Sequence, residues 1–187
     1  MTESTGTSKF ISLTLLRICL LLVIVSLSSG ISAQTFKYVG AAKCKMCHNK
    51  APKGEQYNKW SGLKHANALE SLKSQKALDY AKKNGLGDPV NEAKCLKCHS
   101  TAASIDPKLN GGITKEEGVS CESCHGPGSL YKSPAVMKNR KIAMEKGLIV
   151  PDKELCESCH NSENPFHPGF DYESYLKRIA HPDPTLK

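Results

Sequence analysis

Eight of the nine cysteines in this 187-residue chain fall into four Cys-x-x-Cys-His groups. These are Cys44/Cys47/His48, Cys95/Cys98/His99, Cys121/Cys124/His125 and Cys156/Cys159/His160. The spacing is that of covalent haem attachment, in which both thiols form thioethers and the adjoining His binds iron. Zinc is the chemical competitor, since Cys and His are its structural ligands. A zinc site draws on two pairs and does not require His after each second Cys. Thioredoxin-like chemistry needs one exposed pair beside a β-α-β pattern, and the sequence has no such pattern. Four pairs out of four, each closed by His, point to four covalently attached haem c groups. No nucleophile, phosphate-loop or carboxylate-pair signature competes with them.

Four haems have eight axial positions. His48, His99, His125 and His160 supply the proximal side, which leaves only His65, His167 and His181. At least one position must therefore be Met-ligated, bound by a less usual group, or open. Met raises the potential of a His-ligated haem, whereas an open iron binds small molecules. His65 shares i, i+4, i+7 spacing with Leu69 and Leu72, close to Trp60, and is read as a ligand. His181 follows the last helix with no helical face to direct it. His167 lies between Pro165 and Pro168, where a surface loop histidine is as good a reading as a ligand.

The elements that must position these residues are helical. A long helix is expected from Gly54 to Lys83, ended by Asn84-Gly85. Residues 100–118 read as loop, given Asp106-Pro107 and Asn110-Gly111-Gly112. A second helix is expected from Pro134 to Lys146, with Gly147 as the stop. Asp152 suits the cap of a short helix carrying the fourth motif. A last helix, Tyr172 to Ala180, should stop before His181-Pro182, because the residue before Pro avoids the helical region. No strand pattern stands out. The motif spacings of 51, 26 and 35 residues exclude a regular solenoid. The expected fold is mainly α with much irregular structure, a multihaem cytochrome c with porphyrins as its core. The apo chain, Lys-rich with one Trp, should be largely unfolded.

Residues 1–33 read as a secretory signal peptide: Lys9 and Arg17, an apolar run Ile18 to Val25, and small residues leading to a cut after Ala33. An uncleaved anchor is the alternative, and only then would the chain meet a membrane. Cys19 lies in the apolar run and accounts for the odd cysteine. Residues 34–187 would form a single domain, in the periplasm or outside the cell. Without Lys9, Arg17 and Glu3 the balance is 24 basic to 17 acidic residues, or +7, and eight ionised propionates take it to −1. The basicity is thus no case for nucleic acid; it suits a patchy surface that docks charged redox proteins.

Several stretches resemble the tetrahaem cytochrome c-554 family, known from the electron acceptor of hydroxylamine oxidoreductase. They are Tyr38-Val39-Gly40 leading into Cys44-Lys45-Met46-Cys47-His48, and Trp60-Ser61-Gly62-Leu63-Lys64-His65-Ala66 with Leu69-Glu70-Ser71-Leu72. Gly118-Val119-Ser120-Cys121-Glu122-Ser123-Cys124-His125-Gly126-Pro127-Gly128 is the most specific, and Phe170-Asp171 through Ile179-Ala180-His181 also fits. The resemblance implies a mainly helical fold with closely stacked haem pairs, His65 and His181 as distal ligands of later haems, and a five-coordinate second haem. Where the family carries the first haem's distal His, this chain has Ala135. Met137, two residues on, or His167 could replace it, or that iron could lack a protein ligand; Met46 and Met144 match no ligand place.

The favoured function is electron transfer between redox partner proteins, one of them by resemblance a multihaem oxidoreductase. One rival is an enzyme reducing nitric oxide or a similar molecule at an open second haem (Cys95, Cys98, His99). Another is a subunit of an extracellular cytochrome filament, with a missing ligand supplied by the neighbouring chain.

Overall fold

The computed structural model describes residues 35–167 and 169–185. The signal-peptide reading of residues 1–33 therefore lies outside the described residues. Short helices joined by tight turns dominate: α1 Ala41–His48, α2 Gln56–Ser61, α3 Ala68–Ser71, α4 Gln75–Lys83, α5 Ala93–His99 and α6 Thr101–Ser104. They continue with α7 Cys121–His125, α8 Pro134–Met137, α9 Arg140–Glu145, α10 Lys153–Glu157 and α11 Tyr172–Ile179. Among the described residues the sole β feature is an isolated bridge between Tyr38 and Asn110. The mainly helical, irregular architecture expected from the sequence is what forms.

The expected long helix from Gly54 to Lys83 breaks into α2, α3 and α4. Its carbonyls are claimed elsewhere: the His65 carbonyl accepts from Ala68 N at 3.1 Å and from Val119 N at 2.9 Å. Ser74 then starts α4 afresh, its hydroxyl accepting from Ala77 N. The end at Asn84 is as expected. The second expected helix also splits, because Asn139 turns its side chain onto Ile142 N and caps α9. Pro134 opens α8 behind a Ser133 cap, and Gly147 follows the end of α9. Asp152 caps α10 through Leu155 N at 2.9 Å. The last helix ends at Ile179, and Ala180 is already extended.

Two small centres hold the chain together. One is apolar: Leu69 and Leu72 from α3 and its end pack on Leu96 of α5, with Val90 and Cys95 beside them. The other surrounds the Glu122 carboxylate, buried among the backbone of Val39, Gly40 and Gly128. Trp60 ties α2 to the third motif, its indole N–H donating to the Val119 carbonyl at 2.9 Å. Gly118, at φ 62°, lets the backbone of residues 65–68 pass; a Cβ there would lie 2.7 Å from the His65 carbonyl oxygen.

Candidate haem-binding site

Each Cys-x-x-Cys-His group occupies a helical turn: α1, α5 and α7 carry the first three, and the fourth runs off the end of α10. Spacing of i, i+3, i+4 places both thiols and the imidazole on one helical face. In the fourth motif the backbone keeps that geometry past α10, with His160 N donating to the Cys156 carbonyl at 2.9 Å.

Motifs far apart in sequence lie side by side. Glu122 of the third accepts from Val39 N and Gly40 N just ahead of the first, and Lys97 of the second pairs with Glu163, just past the fourth, at 3.0 Å. All eight thiols are free. Burial pushes the Cys124 thiol up to about 11, and burial with Cys159 alongside does the same to Cys98. Among the described residues no group of three or more His, Cys, Asp or Glu converges as a metal cage would require.

The imidazoles are oriented by their Nδ1 atoms. His99 donates to the Ala68 carbonyl at 2.8 Å, His125 to that of Ile149 at 3.2 Å and His181 to that of Ile179 at 2.7 Å. A carbonyl can only accept, so Nδ1 carries the proton and Nε2 keeps its lone pair for a metal. His48 Nδ1 lies 3.3 Å from Gln56 Oε1 in the same sense. Burial holds His65, His125 and His160 below the ordinary imidazole range, with His65 and His167 adding to the effect at His160. Neutral imidazole is the metal-binding form.

Rings from outside the motifs come to two of the four motif histidines. His181 stands 6.0 Å from His125 between ring centres, and His65 stands 5.9 Å from His160. Two imidazoles sharing one iron have ring centres about 6 Å apart, given metal–nitrogen bonds of about 2 Å. His167 also lies 5.9 Å from His160, and Phe170 stacks on that ring at 4.9 Å. His167, one of the alternatives open for the first haem, thus lies beside the fourth motif's His160. His65 reaches His160 from a turn between α2 and α3, not from a helical face shared with Leu69 and Leu72. Met137 closes α8, half-buried, and Met46 is 67% exposed.

The residues fit haem on a further count. Buried apolar side chains among the described residues are few, and Phe36, Ile142, Met144, Ile149 and Val150 stand exposed. Such a chain has too little apolar surface to bury on its own, and macrocycles would supply it. Sequence reasoning missed Glu122, Gln56, Phe170 and the carbonyls of Ala68 and Ile149. No local pattern marks them, since each works through a partner distant in sequence.

Four attachment turns in contact, each presenting two free thiols and a neighbouring imidazole, define a multihaem c-type cytochrome. The family described as "Cytochrome c554 and c-prime" matches residues 43–126. Cytochrome c-554 of Nitrosomonas europaea is 32% identical over 156 residues, covering 72% of this chain and 63% of that protein. The chain is similar to cytochrome c-554 proteins, and its four Cys-x-x-Cys-His groups suit covalently bound haem c. No solved structure matches it.

Proposed function

We propose that this protein is an exported electron carrier that relays electrons between redox partner proteins. The observation that carries the reading is that distant motifs lie side by side: Glu122 of the third grips the main chain just ahead of the first, and Lys97 of the second reaches Glu163 just past the fourth. Haem supplies one-electron ferric/ferrous chemistry when bound. The chain's part is to hold the attachment turns side by side so that a route runs through the molecule. Cys44, Cys47, Cys95, Cys98, Cys121, Cys124, Cys156 and Cys159 form the thioethers in this reading. His48, His99, His125 and His160 are the proximal ligands. His181 serves the third haem opposite His125, and His65 the fourth opposite His160, as their ring separations favour. Met137 remains the candidate for the first haem, and His167 is a second histidine for the fourth.

Residues 1–33 act as the export signal and 34–187 as one haem-bearing domain. Among the described residues no helix is long and apolar enough to cross a membrane. A multihaem oxidoreductase of nitrogen metabolism is a fitting donor. The test is stopped-flow mixing of the four-haem protein with a reduced multihaem donor and an oxidised acceptor cytochrome. Rapid reduction followed by reoxidation, with no small-molecule substrate, is expected; a protein inert to every such partner sinks the carrier role.

A second reading has one observation in its favour. His65 and His167 lie at His160 and His181 lies at His125, so no histidine outside the motifs is left beside His99. An open second haem would bind nitric oxide or a similar molecule. Steady turnover of nitric oxide by the reduced protein would make it an enzyme, whereas a bound spectrum without turnover would not.

A further inference from the structure

Glu122 occupies the second position of the third motif, where a charged side chain would ordinarily face water. It is 1% exposed. Oε1 accepts from Val39 N at 2.9 Å and from Gly128 N at 2.6 Å. Oε2 accepts from Gly40 N at 2.8 Å and from Val39 N at 3.0 Å. Every partner is a main-chain N–H, which can only donate. A carboxylate, which accepts on both oxygens, matches all four contacts. None of the salt bridges among the described residues includes Glu122. The negative charge is therefore held by dipoles and is not neutralised by a cation.

Its position gives that charge a target. Glu122 lies between Cys121 and Cys124 of the third motif, and the backbone it grips leads straight into α1 and the first motif. The carboxylate is near enough to Cys44, Tyr38 and Tyr131 for its field to act on each. Glu117 adds a second carboxylate on the same side, accepting from Ala41 N and Ser120 Oγ. The second motif is backed instead by Leu69, Leu72 and Leu96. A buried charge in a low-dielectric region acts over several ångströms with little screening.

We propose that Glu122 is a fixed anion that lowers the reduction potentials of the first and third haems relative to the second and fourth. Ferric haem carries one more positive charge than ferrous, so a nearby buried anion favours the oxidised state. The inference rests on the proposed attachment of haem at Cys44/Cys47/His48 and Cys121/Cys124/His125. It makes the lower-potential pair a consequence of one side chain, and it adds a tuning role to what would otherwise be a purely structural clasp.

The test is optical redox titration of the full-length four-haem protein and of Glu122→Gln and Glu122→Asp. Haem content per chain, by the pyridine haemochrome method and mass, is fixed first. Fewer than four haems overturns the attachment reading and this inference with it; four haems with no shift overturns the inference alone. In Glu122→Gln two of the four midpoints should rise, each by about tenfold in the redox equilibrium constant, or about 59 mV for one electron. The other two should stay. In Glu122→Asp, which keeps the charge, all four should stay near wild type even if the melting temperature falls. Equal shifts in both variants, or a uniform shift of all four haems, would mean that packing alone is at work. Wild-type protein provides a check independent of variant folding. Its redox-difference infrared spectrum should show carboxylate bands moving with the lower-potential pair, and the carbonyl stretch of a buried protonated acid moving there would overturn the proposal.

Discussion

The first and third motifs are fastened to each other by polar atoms; the second is backed by leucines. On one side a single carboxylate takes N–H groups from Val39, Gly40 and Gly128, and the Tyr131 hydroxyl donates to the carbonyls of His125 and Gly126. On the other, Leu69, Leu72 and Leu96 close over α5 while the Ala68 carbonyl orients His99. A polar clasp fixes direction, because each N–H must meet an oxygen in line. An apolar cluster fixes proximity and tolerates small rotations. Neither is a full core, so the two halves share a dependence on haem while differing in what positions it.

The largest effect expected is loss of both halves at once. Chain made without haem attachment should lose most of its helical circular dichroism and show no cooperative melt; a folded apoprotein would mean that the clasp and the cluster suffice unaided. Next come the two ring pairs, one in each half. His181→Ala should convert the third haem, and His65→Ala the fourth, to a high-spin ferric species in low-temperature electron paramagnetic resonance. A low-spin fourth haem in His65→Ala that turns high-spin only when His167 is also changed to Ala would show His167 stepping in from 5.9 Å.

Glu122→Ala should cost about 3 kcal/mol or more in denaturant titration of the haem-loaded protein, since it strands buried N–H groups at about 1–3 kcal/mol each. Leu96→Ala in the other half should cost about 2–4 kcal/mol from lost contact and cavity, with the spectra of the first and third haems unchanged. If Leu96→Ala instead disturbed those haems as Glu122→Ala does, the two halves would not be separable. Trp60→Phe should be the mildest, about 1 kcal/mol, because it removes one indole bond to Val119 and keeps most of the ring.

The chemistry was legible in the sequence because it is written in local spacing. Cys, Cys and His on one helical turn need no distant partner to be recognised, and the Asp152 cap and the stop after Glu145 are equally local. His65 was judged a ligand for a reason that does not hold. Its spacing to Leu69 and Leu72 fits a helix, yet the backbone between α2 and α3 leaves the helix to bond Val119. The ring arrives at His160 through a contact between chain segments, which no periodicity encodes. Glu122 carries no local mark of its role. Its burial depends on Val39, 83 residues earlier. Ala135 takes the place where the resemblance puts a distal His, but nothing local indicates that His167 lies beside His160.

The Glu122 clasp also sets an order of assembly. Synthesis runs from the N-terminus, so Val39 and Gly40 are made well before the carboxylate that will bind them. Until then the segment leading into Cys44 has only its bridge to Asn110 and the Glu117 contact to hold it, and its two thiols lack the clasp of the third motif. Closure waits for the third motif to emerge, so the first attachment can be finished before the chain folds over it.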